Sequence, residues 1–453
     1  MIREKQDTNK DISLHVLDTL LTGVPDIAVQ LWDGQTWGSP NPKITLKLND
    51  PGALREMLLP GSELGMAEAY LYEDIDIQGN VEAVLDLAQV LAQKVGLMTK
   101  LGIARELMKL PKGNASDSAF RARTRRGPAK LSGQRHSIER DRQAIRYHYD
   151  VSNSFYALFL GQWMVYSCAY FETPQDDLDR AQEAKLDLIC RKLRLKPGQK
   201  LLDLGSGWGG LIMYAAQHYG VDATGITLSQ PQADYANEQA RALGLEDRCR
   251  TLVQDYREID SKDTYDVITS VGMFEHVGEK MLPEYFAHAY NLLRPGGLLM
   301  NHGIAQSAVK RLQTDEVSPA PKASRSPNLG DSFMNTYVFP DGETVPINVT
   351  LRAAEESGFE VRDVESLREH YVLTLRAWLR NLEANHERAL QYVDEATYRV
   401  WRLYMSGCAY MFKIGGINIY QSLLVKANND GSSGLPLRRE DWYGVHSLEQ
   451  NLK

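Results

Sequence analysis

The segment Asp203-Leu204-Gly205-Ser206-Gly207-Trp208-Gly209-Gly210 has the residue types and spacing to hold a ligand against the main chain. It follows a short apolar run and precedes a helical one. Glycines here let the backbone approach a ligand closely, and the helix start behind them leaves N–H groups free. A lone G-x-G would be weak evidence, because a dinucleotide fold can carry it. Two later segments, Thr227-Leu228-Ser229-x-x-Gln232 and Gln254-Asp255-Tyr256, add hydroxyl, amide and carboxylate groups. Glu275 and His276 follow a further apolar run. The four cysteines, Cys168, Cys190, Cys249 and Cys408, contain no C-x-x-C pair. That spacing argues against a zinc site and a disulfide framework and suits a reducing cytoplasm. No metal site is expected.

Alternating strands and helices must position these groups. Strands are expected at 200–204, 222–228, 250–255, 265–271 and 297–303. Helices are expected at 211–218, 231–243 and 280–293 between them, and at 371–385 and 395–412 beyond, before a closing strand at 417–426. Successive βα units of this kind build a mostly parallel, doubly wound α/β sheet. Ligands bind such sheets at the carboxyl ends of the strands, where the groups above fall.

The chain has 453 residues, long for one domain, and a formal charge of −8 makes it a poor general binder of nucleic acid. No stretch is apolar enough to span a membrane, and the charged first twenty residues do not read as a signal peptide. Three regions follow from composition: 1–111, a linker at 112–146, and 147–453. In the first, Leu87, Leu91, Val95, Met98 and Leu101 recur at helical spacing, Gly96 and Gly102 weaken the helix, and Pro111 ends it. Such a stripe faces either a core or a lipid surface. Between Arg121 and Arg146 stand nine Lys/Arg against Glu139 and Asp141, a local charge of about +7. This is a solvated tether or one that also touches anionic headgroups. The Pro-, Ser- and Lys-rich segment 309–331 reads as a mobile insertion.

The G-x-G-x-G turn with Asp203 before it resembles motif I of Rossmann-like S-adenosylmethionine methyltransferases. In those enzymes the second strand end holds ribose, here Thr227, Leu228 and Gln232, and Asp255 and Tyr256 lie where adenine is bound. Six ordered motifs narrow the resemblance: His148–Asn153, Tyr166–Phe171, Leu202–Gly210, Gln254–Arg257, Met273–Gly278 and Phe339–Gly342. Together they resemble cyclopropane-fatty-acyl-phospholipid synthases from about residue 147 to 427. Gly65–Tyr70 looks like part of the small lipid-associated N-terminal domain of the bacterial enzymes. The resemblance implies a Rossmann-like catalytic domain at 147–453 behind a lipid-associated domain at 1–111. It also implies cofactor contacts from Tyr166, Ser167, Asp203, Leu204, Gly205, Gly207, Trp208, Gly209 and Val271.

The implied reaction adds a methylene group from S-adenosylmethionine across the cis double bond of an unsaturated phospholipid acyl chain. Bicarbonate serves as the base, held by Cys168, Glu275, His302, Tyr371 and the backbone of Ile304. Cys408 is a candidate by position, although alkene methylation needs no covalent enzyme intermediate. His276 reads as a structural neighbour of Glu275, pointing elsewhere, and Asp203 as the residue that holds the glycine turn. The nearest alternative is a relative that leaves a methylene or methyl branch without closing a ring. A small-amine N-methyltransferase or a lipid carrier would explain fewer of the features. The implied setting is cytoplasmic and peripheral on the inner membrane face, with a homodimer suggested by the resemblance.

Overall fold

Ile27–Gln30 (β1), Thr36–Gly38 (β2), Ile44–Leu48 (β3) and Ile75–Gly79 (β4) pair in the order β2-β1-β3-β4 in the computed structural model, which describes residues 2–86, 97–307 and 332–443. β3 shows why: Ile44, Leu46 and Leu48 are buried while Thr45 and Lys47 turn outward, the two-residue period of a half-covered strand. The Glu63–Leu71 helix follows, capped by the Ser62 hydroxyl, which accepts from Gly65 N at 3.1 Å.

The Glu395–Lys413 helix belongs to this same compact unit. The unit comprises the described residues up to 130 together with 332–340 and 379–414. It is therefore not contiguous in the chain. Buried Arg399 donates to the carbonyls of Tyr70 (3.0 Å) and Ile75 (3.1 Å) and lies over the Tyr70 ring. Arg402 donates to Tyr70 Oη (2.9 Å) and Ile77 O (3.1 Å). The Ile75 and Ile77 carbonyls would otherwise be buried acceptors without a donor, while Tyr70 O also accepts from Glu73 N at 3.3 Å; composition along the chain cannot show that dependence.

Two expectations for this unit change. Of the apolar stripe, Leu87, Leu91 and Val95 lie outside the described residues. In the Leu97–Leu107 helix Met98 and Leu101 are 80% and 59% exposed, so these two do not face a core, whereas Leu107 and Leu110 are buried. The basic run is also not uniformly solvated. Arg121 pairs with Glu68 at 2.9 Å, and Arg126 is buried, bonded to Tyr337 O and stacked on Trp401. Arg123, Arg125 and Lys130 remain exposed.

The second unit takes residues 131–307, 341–378 and 415–443 of those described. Its sheet comprises Lys200–Leu204 (β5), Asp222–Thr227 (β6), Cys249–Val253 (β7), Tyr265–Val271 (β8), Leu293–Gln306 (β9), Glu360–Ser366 (β10) and Ile417–Val425 (β11). The order is β10-β11-β9-β8-β5-β6-β7, parallel from β9 to β7, with β11 antiparallel to both its neighbours. Chain direction across the sheet reverses at β5, so a crevice opens at its carboxyl end. Both faces are covered. Leu201 joins the cluster under the Leu178–Lys192 and Gly210–Tyr219 helices, while Leu202 and Leu204 join the one under Leu282–Leu292.

Three helices, Ile138–Tyr149, Leu178–Lys192 and Ile347–Glu356, and strand β10 have no counterpart in the expected elements. β10 is an edge strand of mostly polar residues and shows no apolar alternation to read.

Replacing Arg399 with Met should leave the Ile75 carbonyl buried without a donor, while Tyr70 O keeps the Glu73 N–H. Chemical denaturation should register a loss of roughly 1–3 kcal/mol, the cost of one orphaned buried group. Exposed Arg123→Gln should change stability by less than about 0.5 kcal/mol.

Candidate active site

Gly205, Gly207 and Gly209 all have positive φ, at 82°, 55° and 81°, which turns the chain sharply out of β5. A Cβ at Gly205 would also press on Met273 at 2.9 Å. The turn is tied to β6, since Gly205 N and Ser206 N both donate to Ile226 O at 3.1 and 2.8 Å. Asp203 does not hold it. Its Oδ1 accepts from Thr269 Oγ1 at 2.7 Å, and the carboxyl borders the cavity beyond the turn.

That cavity is lined by Tyr166, Ser167, Asp203, Gly205, Gly207, Trp208, Thr227, Leu228, Gln232, Asp255, Tyr256 and Val271. Leu204 and Gly209 do not reach it. Leu204 is packed in the sheet core, and Gly209 caps the following helix with its back to Ala236. The cavity also takes in residues that sequence reasoning did not assign to it, notably Asp141, Tyr149, Lys185, Arg257 and His276. His276 thus points into the cavity, and burial draws its imidazole down to about 4, so it is neutral.

Thr227 Oγ1 donates to Gln232 Oε1 at 2.7 Å, which leaves the Gln232 amide N–H groups as donors. Asp255 is held by two Arg257 nitrogens, each at 2.7 Å. Arg257 also reaches Asp141 Oδ2 and His136 O, both at 2.9 Å, and so ties the Ile138–Tyr149 helix to the end of β7. Tyr149 stands edge-on to Tyr166, Trp208 and His276 at 6.2 to 6.4 Å. A glycine cradle, polar groups at successive strand ends and an aromatic wall suited to a cation fit S-adenosylmethionine.

A second cluster lies beside the first. Glu275 sits in the short turn Phe274–His276 that follows β8. Its Oε1 accepts from Ile304 N at 2.8 Å, and its Oε2 is buried with no partner. Burial pushes this carboxyl up to about 7. Gly303 is required here because a Cβ would collide with the Phe274 ring. His302 lies within β9 rather than at its end, because the strand runs on to Gln306, and it pairs with Val271 and Gln421 on either side.

The protonation of His302 follows from its neighbours. Lys192 Nζ donates to Gln421 Oε1 at 2.7 Å, so the Gln421 amide nitrogen faces His302 Nδ1 at 3.2 Å. Nδ1 accepts, which leaves the ring proton on Nε2. Burial and the nearby Lys185 and Lys192 charges hold the ring well below its usual range, so it is neutral. Its Nε2 is buried without a partner. One N–H donor and one carboxyl oxygen are therefore left over in buried positions, His302 opposite the last residue of β8 and Glu275 in the turn after it, groups complementary to a small oxyanion bearing one O–H.

Cys168 and Tyr371 are brought together at Leu367, whose carbonyl accepts from Cys168 Sγ at 3.7 Å and from Tyr371 N at 3.1 Å. Ala169 N donates to Thr374 Oγ1 and Phe171 N to His370 Nδ1, both at 3.0 Å. These bonds fasten the Tyr166–Phe171 segment to the Arg368–Ala384 helix. Burial pushes the Cys168 thiol far up, so it remains a thiol. Cys408 lies on the Glu395–Lys413 helix, in the other compact unit, and burial pushes its thiol up to about 12. That is the opposite of what a nucleophile requires. Lys192 and Gln421 carry no motif, and only strand pairing exposes their part.

The raised carboxyl at Glu275 has a consequence for stability. The fold keeps this proton to about pH 7, against an ordinary value of 4.5. Stability from this group is therefore full below about 4.5 and is lost as the pH rises through 7. Glu275→Gln should match the wild type at pH 5 and exceed it at pH 8 by on the order of 3 kcal/mol in urea denaturation. Parallel pH profiles for the two proteins would contradict the burial of the charge.

The family described as mycolic acid cyclopropane synthetase matches residues 136–422, and a domain of unknown function matches residues 17–97. A "Probable fatty acid methyltransferase" of Pseudomonas putida is 37% identical over 418 residues, 92% of this chain and 96% of that protein. The cyclopropane-fatty-acyl-phospholipid synthase of Escherichia coli K12 is 34% identical over 285 residues, 63% of this chain and 68% of that protein. Among solved structures, mycolic acid cyclopropane synthase CmaA1 complexed with SAH and CTAB superposes with a TM-score of 0.58 at 35% identity, covering 62% of this chain and 97% of that one. With its Rossmann-like methyltransferase sheet and added N-terminal sheet-and-helix unit, the chain belongs to the cyclopropane-fatty-acyl-phospholipid synthase family of S-adenosylmethionine-dependent fatty-acid methyltransferases.

Proposed function

We propose that this protein adds a methylene group from S-adenosylmethionine across the cis double bond of unsaturated acyl chains in membrane phospholipids, with bicarbonate as the general base. The observation that carries the proposal is the pair of buried, partnerless atoms Glu275 Oε2 and His302 Nε2 beside the cofactor cavity. When bound, the cofactor supplies an electrophilic methyl group, and an alkene that takes it becomes a carbocation. An uncompensated charge in an apolar site is expensive, so an anion held there acts mainly on the transition state. His302 Nε2–H would donate to bicarbonate and Glu275 Oε2 would accept its O–H. The Ile304 N–H fixes the Glu275 carboxylate, and Tyr371 would complete the anion's surroundings with Cys168 behind it. Bicarbonate would accept the proton whose loss from the new methyl closes the ring.

A second reading is methylation to a methylene or methyl branch without ring closure; the Pseudomonas putida relative, named a probable fatty acid methyltransferase, is compatible with either product. Gas chromatography–mass spectrometry of lipids from a host expressing the protein separates the two. Cyclopropane acyl chains support the first, branched chains the second, and unaltered lipids neither. Glu275→Gln should lower turnover by at least about 10²-fold with affinity for S-adenosylhomocysteine nearly intact, and buffers stripped of carbon dioxide should slow the wild type. Full turnover in stripped buffer would remove bicarbonate from the mechanism.

For the membrane partner, we propose that the N-terminal region and the exposed part of the basic run lie on the lipid surface. No described helix is long and apolar enough to cross a membrane. Exposed Met98, Leu101 and Met108 stand among exposed Lys100, Arg105, Lys109 and Lys112, a mixture that suits an anionic interface. Replacing Arg123, Arg125 and Lys130 together with Gln should weaken sedimentation with anionic vesicles and flatten its salt dependence, with cofactor binding retained. Equal sedimentation would make the segment a tether. Arg121 and Arg126 are unsuitable for this test because their guanidinium groups are committed inside the fold.

A further inference from the structure

Lys185 has no part in the chemistry above. It comes from the Leu178–Lys192 helix, is 1% exposed, and lines the cofactor cavity. Its Nζ donates to Ser167 Oγ at 2.9 Å, its one hydrogen-bond partner among the described residues. No carboxylate forms an ion pair with it there. The titratable groups that face it are Asp203 of β5, Cys168 of the Tyr166–Phe171 segment and His302 of β9. Asp203, its carboxyl raised to about 6 by burial, is the one charged neighbour and bonds Thr269 rather than the amine; Cys168 is a thiol, and His302 is neutral. An ammonium with three donors is thus buried against one hydroxyl. The Asp203 charge offsets part of that cost, two of the three donors stay unmet, and burial draws the amine down to about 7.

The position of the group says what would relieve it. Lys185 and Ser167 line the cavity together with Tyr166, Asp203 and Gly205, while Cys168, the next residue, is outside that lining and donates to Leu367 O. We infer that Lys185, with Ser167 Oγ, is the anion-receiving group of this cavity and binds a carboxylate-type oxyanion. Two sources share that chemistry: the α-carboxylate of S-adenosylmethionine, and bicarbonate. The inference rests on the methyltransferase reading of the cavity. A bound anion favours the charged amine, so binding at pH 8, where the free amine is mostly neutral, takes up a proton. At pH 6 the amine is already charged and the uptake shrinks.

The test is calorimetric titration at pH 6 and pH 8, in buffers of different ionisation enthalpy. The probes are S-adenosylhomocysteine and 5′-methylthioadenosine, which keeps the adenosyl thioether and lacks the carboxylate. Lys185→Met should weaken S-adenosylhomocysteine binding by about tenfold or more and abolish the proton uptake at pH 8, with 5′-methylthioadenosine binding unchanged. That outcome assigns the anion to the cofactor and shows that the variant is folded. Ser167→Ala should move in the same direction by less. If S-adenosylhomocysteine binding is unchanged while the bicarbonate concentration for half-maximal turnover rises by about tenfold or more, the anion is bicarbonate. Wild-type affinity, proton uptake and bicarbonate dependence in Lys185→Met would overturn the inference. Failure of the wild type to bind either adenosyl probe would overturn the methyltransferase reading instead.

Discussion

The site depends on burying titratable groups while leaving part of their hydrogen-bonding capacity unused. Glu275 spends one oxygen on the Ile304 N–H and keeps the other, and His302 spends Nδ1 on Gln421 and keeps Nε2. In water such leftover groups would be satisfied and worth little to a ligand. Away from water each is costly when unmet and strongly favourable when met, so the same terms that make the leftover groups unfavourable would favour a small anion there. The raised carboxyl of Glu275, the lowered imidazole of His302 and the lowered amine of Lys185 all have burial as their largest cause.

The sheet converts that constraint into position. Reversal at β5 puts the glycine turn, Thr227 and Asp255 at one edge, and β8 ends beside β9 so that Val271 lies opposite His302. The antiparallel insertion of β11 between β9 and β10 places Gln421 on the far side of His302 and sets its tautomer from behind. A seven-stranded sheet of this order therefore both forms the cofactor crevice and orients an imidazole next to it. The aromatic wall from Tyr149 to His276 joins the two, offering ring faces where positive charge is handled.

The N-terminal unit is held by a different economy of polar groups. Arg399 and Arg402, from a helix more than three hundred residues away in sequence, satisfy carbonyls of Tyr70, Ile75 and Ile77. Arg121 and Arg126 are likewise committed to internal partners. The basic run is thus partly a structural device and partly an exposed surface, and only its exposed members are available to a phospholipid headgroup.

Much of this was readable along the chain. Short runs rich in apolar and β-branched residues that end at glycine mark β5 and β8, and β6 is marked by its β-branched residues between helices. The glycine turn, Asp255 and Glu275 were legible because each follows a strand whose end is visible as a change of residue type, whereas His302, inside β9, was reached only through the family resemblance. What the chain could not show is anything decided by pairing at a distance. Asp203 was expected to hold the turn and instead bonds Thr269; His276 was expected to point away and lines the cavity. Lys185, Lys192 and Gln421 look like ordinary helix and strand residues until the sheet sets them against Ser167 and His302. Sequence determines which groups exist and which local element carries them. Tertiary structure alone decided which were buried, which were satisfied and which proton each kept, because those depend on the few ångströms around an atom and not on its neighbours in the chain.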